Sequence, residues 1–267
     1  MQLSGSNSMK AMDDEQASAI GDNATKGISA AAKKLRMLKS LRCTDKHEKA
    51  ARRAGARVVA GVDEVGRGAL FGPVVAAAVV LPENIRRLAA KGLKDSKQLE
   101  QADRERLAEE VYAVALAVSV AEVDAATIDA VNIYQASRQA MLRAVLELKH
   151  EATLVRPDHL LIDAMQLDID CAQTKLFYGD ALSLSIAAAS VVAKVHRDRR
   201  MRELDAEYPQ YGLASHKGYG TPQHLAALRE HGPCALHRRS FAPVANWHDI
   251  SLDEEALNAL AEIAEED

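Results

Sequence analysis

Val58-Val59-Ala60-Gly61-Val62-Asp63-Glu64-Val65-Gly66-Arg67-Gly68 is the stretch that decides the fold. An apolar run of strand length stops abruptly at two acids and two glycines, the pattern of a strand entering a turn. Shortly after it, Gly72-Pro73 opens a second run, Val74 to Leu81, built of Val, Ala and Leu and closed by Pro82. Two strands so near in sequence pair as a hairpin. Further out, Lys97 to Tyr112 sets charges on one face and Leu99, Leu107 and Val111 on the other, which predicts a surface helix. Val114 to Val120 reads as a third strand, its alanines leaving helix open; Asp124 to Asp129 reads as a short capped helix and Ile133 to Leu148 as a longer one. His159-Leu160-Leu161-Ile162-Asp163 and Leu176-Phe177-Tyr178-Gly179-Asp180 repeat the shape of the first run. Ser183 to Leu204 is a long helix with a small-residue stretch, Ala187 to Ser190, and Thr221-Pro222 starts another with proline in its first turn. Strands first, then alternating helices and strands, predict an α/β fold: a mixed sheet with helices packed on it.

The 267 residues suffice for one large domain or two small ones. With only six Tyr, three Phe and one Trp, the core must be built from Ala, Leu and Val. The longest nearly unbroken apolar stretch, Ala69 to Leu81, is shorter than a membrane span and carries a Gly-Pro break. Met1 to Ser8 is polar with no apolar segment after it, so no signal peptide is expected. Cys43, Cys171 and Cys234 are odd in number and far apart, which argues against a disulfide scaffold or a cysteine zinc site and fits a reducing cytoplasm. Charge is blocked along the chain. Lys26 to Arg57 holds eleven Lys or Arg against Asp45 and Glu48, whereas Leu252 to Asp267 holds seven acids and no base. Three parts follow: a basic extension over 1–56, flexible or helical, a folded domain over 57–250, and an acidic tail over 251–267. The basic arm reads either as a solvated helix or as a local patch for a polyanion.

Three apolar segments finish in a carboxylate: Asp63 with Glu64 beside it, Asp163, and Asp180. Strand ends converge in an α/β sheet, so residues distant in sequence can share one site. Clustered carboxylates raise one another's pKa unless a cation neutralises them. Hard oxygen ligands without matching His or Cys select Mg²⁺ or Mn²⁺, and two such ions suit in-line attack of water on a phosphodiester. Gly66-Arg67-Gly68 lets backbone approach a ligand closely and sets an arginine within reach of phosphate, or is simply a flexible turn. Asp95-Ser96-Lys97 caps the following helix or contacts phosphate. His216-Lys217-Gly218-Tyr219-Gly220 suits a loop gripping a sugar-phosphate chain, and His237-Arg238-Arg239-Ser240-Phe241 is a further backbone contact or a basic turn.

Together these segments, from about Val58 to Val244, resemble the ribonuclease HII family in order and spacing, including Ala188-Ala189-Ser190-Val191-Val192-Ala193-Lys194-Val195. The resemblance implies a ribonuclease H-like mixed sheet flanked by helices, with a helical C-terminal part. It also implies hydrolysis of the RNA strand of RNA–DNA hybrids and cleavage at ribonucleotides embedded in duplex DNA. By the same resemblance Asp63, Glu64, Asp163 and Asp180 hold Mn²⁺ or Mg²⁺. Gly66, Arg67 and Gly68 read the 2′-hydroxyl, Asp95, Ser96 and Lys97 join in substrate binding, and Tyr219 packs on the nucleotide at the RNA–DNA junction. A monomer in the cytoplasm, leaving 3′-hydroxyl and 5′-phosphate ends, is expected. Ala164, Tyr178 and Ala69 depart from residues frequent in the family, and none of the three is a carboxylate position. The related ribonuclease HIII carries a folded N-terminal domain; the charged, alanine-rich residues before Val58 lack strand patterns and favour HII.

Overall fold

The structure is a computed structural model that describes residues 36–37, 40–84, 93 and 100–250. The chain divides into two compact units, residues 1–41 and 42–267, and every element below belongs to the second. Asp95, Ser96, Lys97 and the acidic tail lie outside the described residues.

The hairpin expected from the opening stretch is the centre of the sheet. Strands β1 (Val59–Val65) and β2 (Val74–Val80) pair antiparallel, with Ala60 opposite Val80 and Val65 opposite Val75. On the far side of β2 lie β3 (Ala117–Val123) and the two-residue strands β4 (Lys149–His150) and β5 (Thr153–Leu154), all antiparallel. On the far side of β1, β6 (His159–Asp163) and β7 (Ala172–Leu176) run parallel. The order is β5-β4-β3-β2-β1-β6-β7.

Both faces of the hairpin are covered, which explains why β2 reads as a continuous apolar run rather than an alternation. Val74, Ala76, Ala78 and Val80 pack with Ala140, Met141 and Val145 of helix α4 (Ile133–Leu146). Val75, Ala77 and Val79 pack on the other face with Leu107 and Val111 of α2 (Gln101–Val114) and with Ala187 to Ala189 of α5 (Leu184–Glu207). Small side chains bring α5 close to the sheet. At Gly61 an added Cβ would stand 2.1 Å from the Ser185 carbonyl carbon, so only glycine fits in mid-strand there. The caps follow side-chain chemistry. Asp124 accepts from the Thr127 N–H to start α3 (Ala125–Val131), Ser183 accepts from Ile186 to start α5, and Thr221 accepts from His224 to start α7 (Pro222–His231). The helical C-terminal part is completed by α6 (Leu213–His216) and α8 (Ala242–Ala245). No helix among the described residues is long and apolar enough to cross a membrane.

Four local expectations change. The third strand begins at Ala117 rather than Val114, because α2 runs through Val114 and pairing opens with Leu116 N–H donating to Val80 O. Leu176 to Asp180 is not a strand: β7 ends at Leu176, Tyr178 is left-handed at φ 58°, and Gly179–Ala181 forms a 3₁₀ turn. The strand itself, Ala-Gln-Thr-Lys-Leu, is an edge with no apolar run to announce it. His216 closes a helical turn rather than opening a loop. Finally, helix α1 (Lys46–Arg53), at the end of the basic arm, sets Ala51 against Val59, Leu161 and Ile186 beneath the sheet.

Candidate active site

The parallel pairing of β1 and β6 brings two acids together. Val62 is in register with Ile162, so Asp63 and Asp163 follow at the same end of adjacent strands. Asp180 reaches them from the 3₁₀ turn after β7, where the Gly179 N–H donates to Asp163 Oδ1 at 2.6 Å. Each aspartate has one oxygen tied by a backbone N–H: Asp63 Oδ1 by Glu64 (2.8 Å), Asp163 Oδ1 by Gly179, and Asp180 Oδ1 by Ala181 (2.9 Å). The Asp63 carboxyl, buried and hydrogen-bonded by Ser190 of α5, is held well above the usual carboxylate range. Burial is the largest cause, followed by the charges of Asp163, Glu64 and Asp180. Asp63 therefore lies in the field of the other three acids. Among the described residues, no three His, Cys, Asp or Glu side chains already enclose a metal-sized gap. The donor chemistry is nevertheless that of a hard-cation site, four carboxylates with excess negative charge.

One cation stands beside the acids: Arg67 Nη1 is 3.3 Å from Glu64 Oε1, with the Arg67 side chain 37% exposed. The glycine ahead of it has a steric reason. Gly66 is left-handed at φ 86°, and a Cβ there would lie 2.1 Å from Arg197 Nε.

Sequence reasoning missed Arg197 and misread Arg238, and both are fully buried. Arg197 donates from Nε to Pro73 O, from Nη1 to Lys217 O and from Nη2 to Phe71 O, at 3.2, 2.9 and 3.3 Å. Its guanidinium also lies 5.4 Å from the centre of the Tyr219 ring. Arg238 donates from Nε to Gly72 O at 3.0 Å and from Nη1 to Arg67 O at 2.8 Å. The 237–241 segment is thus no duplex-phosphate contact through Arg238; that guanidinium braces the backbone of the glycine loop. The neighbouring Arg239 and Ser240 N–H groups instead bind the Asp129 carboxylate. The loop also meets the Tyr219 loop directly, through Leu70 N–H donating to Gly218 O at 2.8 Å.

Tyr219 is half-buried, and its carbonyl is anchored by a chain of neutral histidines. A carbonyl only accepts, so His224 carries its proton on Nδ1 and donates to Tyr219 O at 2.9 Å. His237 Nδ1 accepts from the Cys234 N–H at 3.0 Å, which puts its proton on Nε2, aimed at His224 Nε2 3.3 Å away. His216 donates from Nε2 to Tyr211 O and accepts from the Gly218 N–H on Nδ1, by the same logic. Burial pushes His224 down to about 4 and His237 to about 3, each lowered further by a neighbouring histidine. Gly66 and Tyr219 thus both lie against Arg197, and Arg67 reaches from the same glycine loop to Glu64.

A mixed sheet whose central hairpin and adjoining parallel strand gather carboxylates at one end defines the class: a nuclease of the ribonuclease H type. Residues 60–244 match the family model for Ribonuclease HII. The ribonuclease HII of Koribacter versatilis is 58% identical over 237 residues, 89% of each chain. The chain belongs to the ribonuclease HII family, and is a type 2 ribonuclease H, a hydrolase acting on the RNA of RNA–DNA hybrids. Two solved structures share the fold at 24% identity. The ribonuclease H2 of Pyrococcus horikoshii OT3 has a TM-score of 0.60 over 77% of this chain and 100% of its own. The Bst-RNase HIII in complex with Mn2+ has a TM-score of 0.57 over 74% of this chain and 71% of its own.

Proposed function

We propose that this enzyme cuts the RNA strand of hybrids and also cuts at single ribonucleotides embedded in duplex DNA, leaving 3′-hydroxyl and 5′-phosphate ends. Asp63, Glu64, Asp163 and Asp180 would hold two Mg²⁺ or Mn²⁺ ions. The observation that carries this is geometric: Asp63 and Asp163 end adjacent parallel strands, and the turn holding Asp180 is bonded to Asp163 through the Gly179 N–H. Carboxylates gathered this closely repel one another, and a bound cation would relieve that repulsion and let an anionic phosphodiester approach. Divalent ions bound there supply an activated water and a stabilised leaving 3′-oxygen. The chain's own contribution is orientation. A backbone N–H fixes one oxygen of each aspartate, so the carboxylate planes are set before substrate arrives.

Carboxylates alone do not tell RNA from DNA, since both offer the same phosphate. Discrimination falls to groups that reach the 2′-hydroxyl and the sugar. Gly66 and Gly68 offer closely approaching backbone, Arg67 a phosphate or sugar contact, and Tyr219 a ring against the same nucleotide. Asp95, Ser96 and Lys97 would contact the phosphates further along. We take the enzyme to work as a cytoplasmic monomer. The test is a DNA duplex holding one ribonucleotide, incubated with EDTA, Mg²⁺ or Mn²⁺, beside an all-DNA duplex. A single cut at the ribonucleotide with a 3′-hydroxyl end, only with metal and only in the ribonucleotide duplex, is expected. Cutting of the all-DNA duplex, or a cyclic phosphate end, would reject the reading.

A further inference from the structure

Glu48 sits in α1, in a segment whose sequence reads as a solvated basic arm, yet it is 1% exposed. Its Oε1 accepts the Ser183 hydroxyl at 2.6 Å and the Ser185 N–H at 2.8 Å, while its buried Oε2 has no hydrogen bond. Burying a carboxylate with one oxygen unsatisfied is costly. The positive end of α5 offsets part of that cost, because Ser185 offers an N–H from its first turn. An apolar side chain would fasten α1 more cheaply, so what this acid holds is the question.

It holds the segment that follows Asp180. Ser183, three residues on, is both the cap of α5 and the hydroxyl bound by Glu48. Around it Thr44 N–H donates to Leu182 O at 3.1 Å and Leu184 N–H donates to Thr44 O at 3.3 Å, a parallel bridge from the arm to the turn. The Cys43 thiol reports the same proximity. It is pushed up to about 12, by burial first and then by the charges of Glu48 and Asp180. The Asp180 turn is therefore clamped on two sides: by Asp163 through the Gly179 N–H, and by residues 44–48 through Leu182 to Ser185.

We propose that Glu48 is a positioning residue for the acid cluster, its Oε1 fixing the Ser183–Ser185 backbone and with it the turn that presents Asp180. This rests on the reading that Asp180 belongs to the metal-holding set. Glu48 touches no reacting atom, so its removal should act on Mn²⁺ binding and turnover rather than on duplex affinity.

The test compares full-length wild type, Glu48→Gln and Glu48→Ala, well below their unfolding temperatures. Mn²⁺ binding without nucleic acid is followed by electron paramagnetic resonance, and kcat and KM are read on the single-ribonucleotide duplex. Both hydrogen bonds fall on one oxygen, which an amide oxygen reproduces, so Glu48→Gln should stay within about twofold of wild type. Glu48→Ala should weaken Mn²⁺ binding and lower kcat, each by about tenfold, the loss typical when a group supporting a ligand is removed, with KM for duplex little changed. Ser183→Ala, which keeps α1 and its acid, should move the same way and serves if Glu48→Ala does not fold. Wild-type Mn²⁺ affinity and kcat in Glu48→Ala, with only a lower Tm, would overturn the proposal. So would Glu48→Gln being as impaired as Glu48→Ala. A wild-type protein that binds no Mn²⁺ and does not cleave would reject the metal-site reading itself.

Discussion

Two regions three residues apart in the chain handle buried charge in opposite ways. At Asp63 the molecule gathers carboxylates: Asp163, Glu64 and Asp180 all raise the acid that burial has already raised. At Gly66 it enters a region of buried cations, where Arg197 and Arg238 donate to backbone carbonyls from Arg67 to Pro73 and to Lys217. A guanidinium that binds several backbone carbonyls is a scaffold that braces the chain around it. A buried carboxylate raised by its neighbours is a candidate site for something positive. The glycine loop connects the two. The difference separates the residues proposed to do chemistry from the buried arginines that hold the glycine loop in place.

The largest test of the contrast is Asp163→Asn. It removes one charge from the cluster and leaves the arginine scaffold untouched, so cleavage of the single-ribonucleotide duplex should fall by ~100-fold or more while the fold is retained. Retained cleavage at saturating Mg²⁺ would take Asp163 out of the site. Arg238→Met reverses the logic. It strips hydrogen bonds from Arg67 O and Gly72 O, buried beneath the loop, and should cost about 3 kcal/mol in denaturant unfolding with Mn²⁺ affinity unchanged. A stability loss below 1 kcal/mol, or about, would show that the loop does not depend on the brace. Tyr219→Ala sharpens the recognition half. Ribonucleotide cleavage should drop about tenfold, whereas duplex affinity, mainly electrostatic, should change little. Tyr219→Phe separates the ring from the hydroxyl; an unchanged rate in Tyr219→Ala would make Tyr219 a loop residue only.

The histidine chain gives a gentler, pH-dependent test. His224 and His237 have folded values depressed to about 4 and about 3, below the ordinary 6.5 that they regain on unfolding. Their contribution is present above about pH 6.5 and is lost as pH falls toward the folded values, by at most ~1.4 kcal/mol per histidine per pH unit. Tm should therefore decline between pH 6.5 and 4 in wild type and less steeply in His237→Gln. Parallel profiles would mean that the histidines are not buried neutral.

Much of the site was legible because its carriers are local. The apolar runs into Asp63 and Asp163 are strands, and the fold's parallel register brings those two acids side by side. Asp180 was found for an incomplete reason. It stands near Asp163 as the proposed site needs, but in a turn after a polar edge strand whose alternation gives no apolar signal. The scaffold was illegible. Arg197 and Arg238 look like surface charges, and their carbonyl partners lie over 100 residues away, apart from Lys217. Glu48 was hidden for the same reason, inside a run of lysines and arginines, with its partners at Ser183 and Ser185.

The central claim, that the acid cluster is short of positive charge and that divalent cations supply it, is tested most directly by thermal unfolding of wild type and Asp63→Asn with EDTA and with Mn²⁺. Wild type should gain Tm with rising Mn²⁺, as any ligand of the folded state requires. Asp63→Asn, relieved of a buried charge, should equal or exceed wild type in EDTA and gain little or nothing from Mn²⁺. An Mn²⁺-dependent rise as large in Asp63→Asn as in wild type would contradict the account.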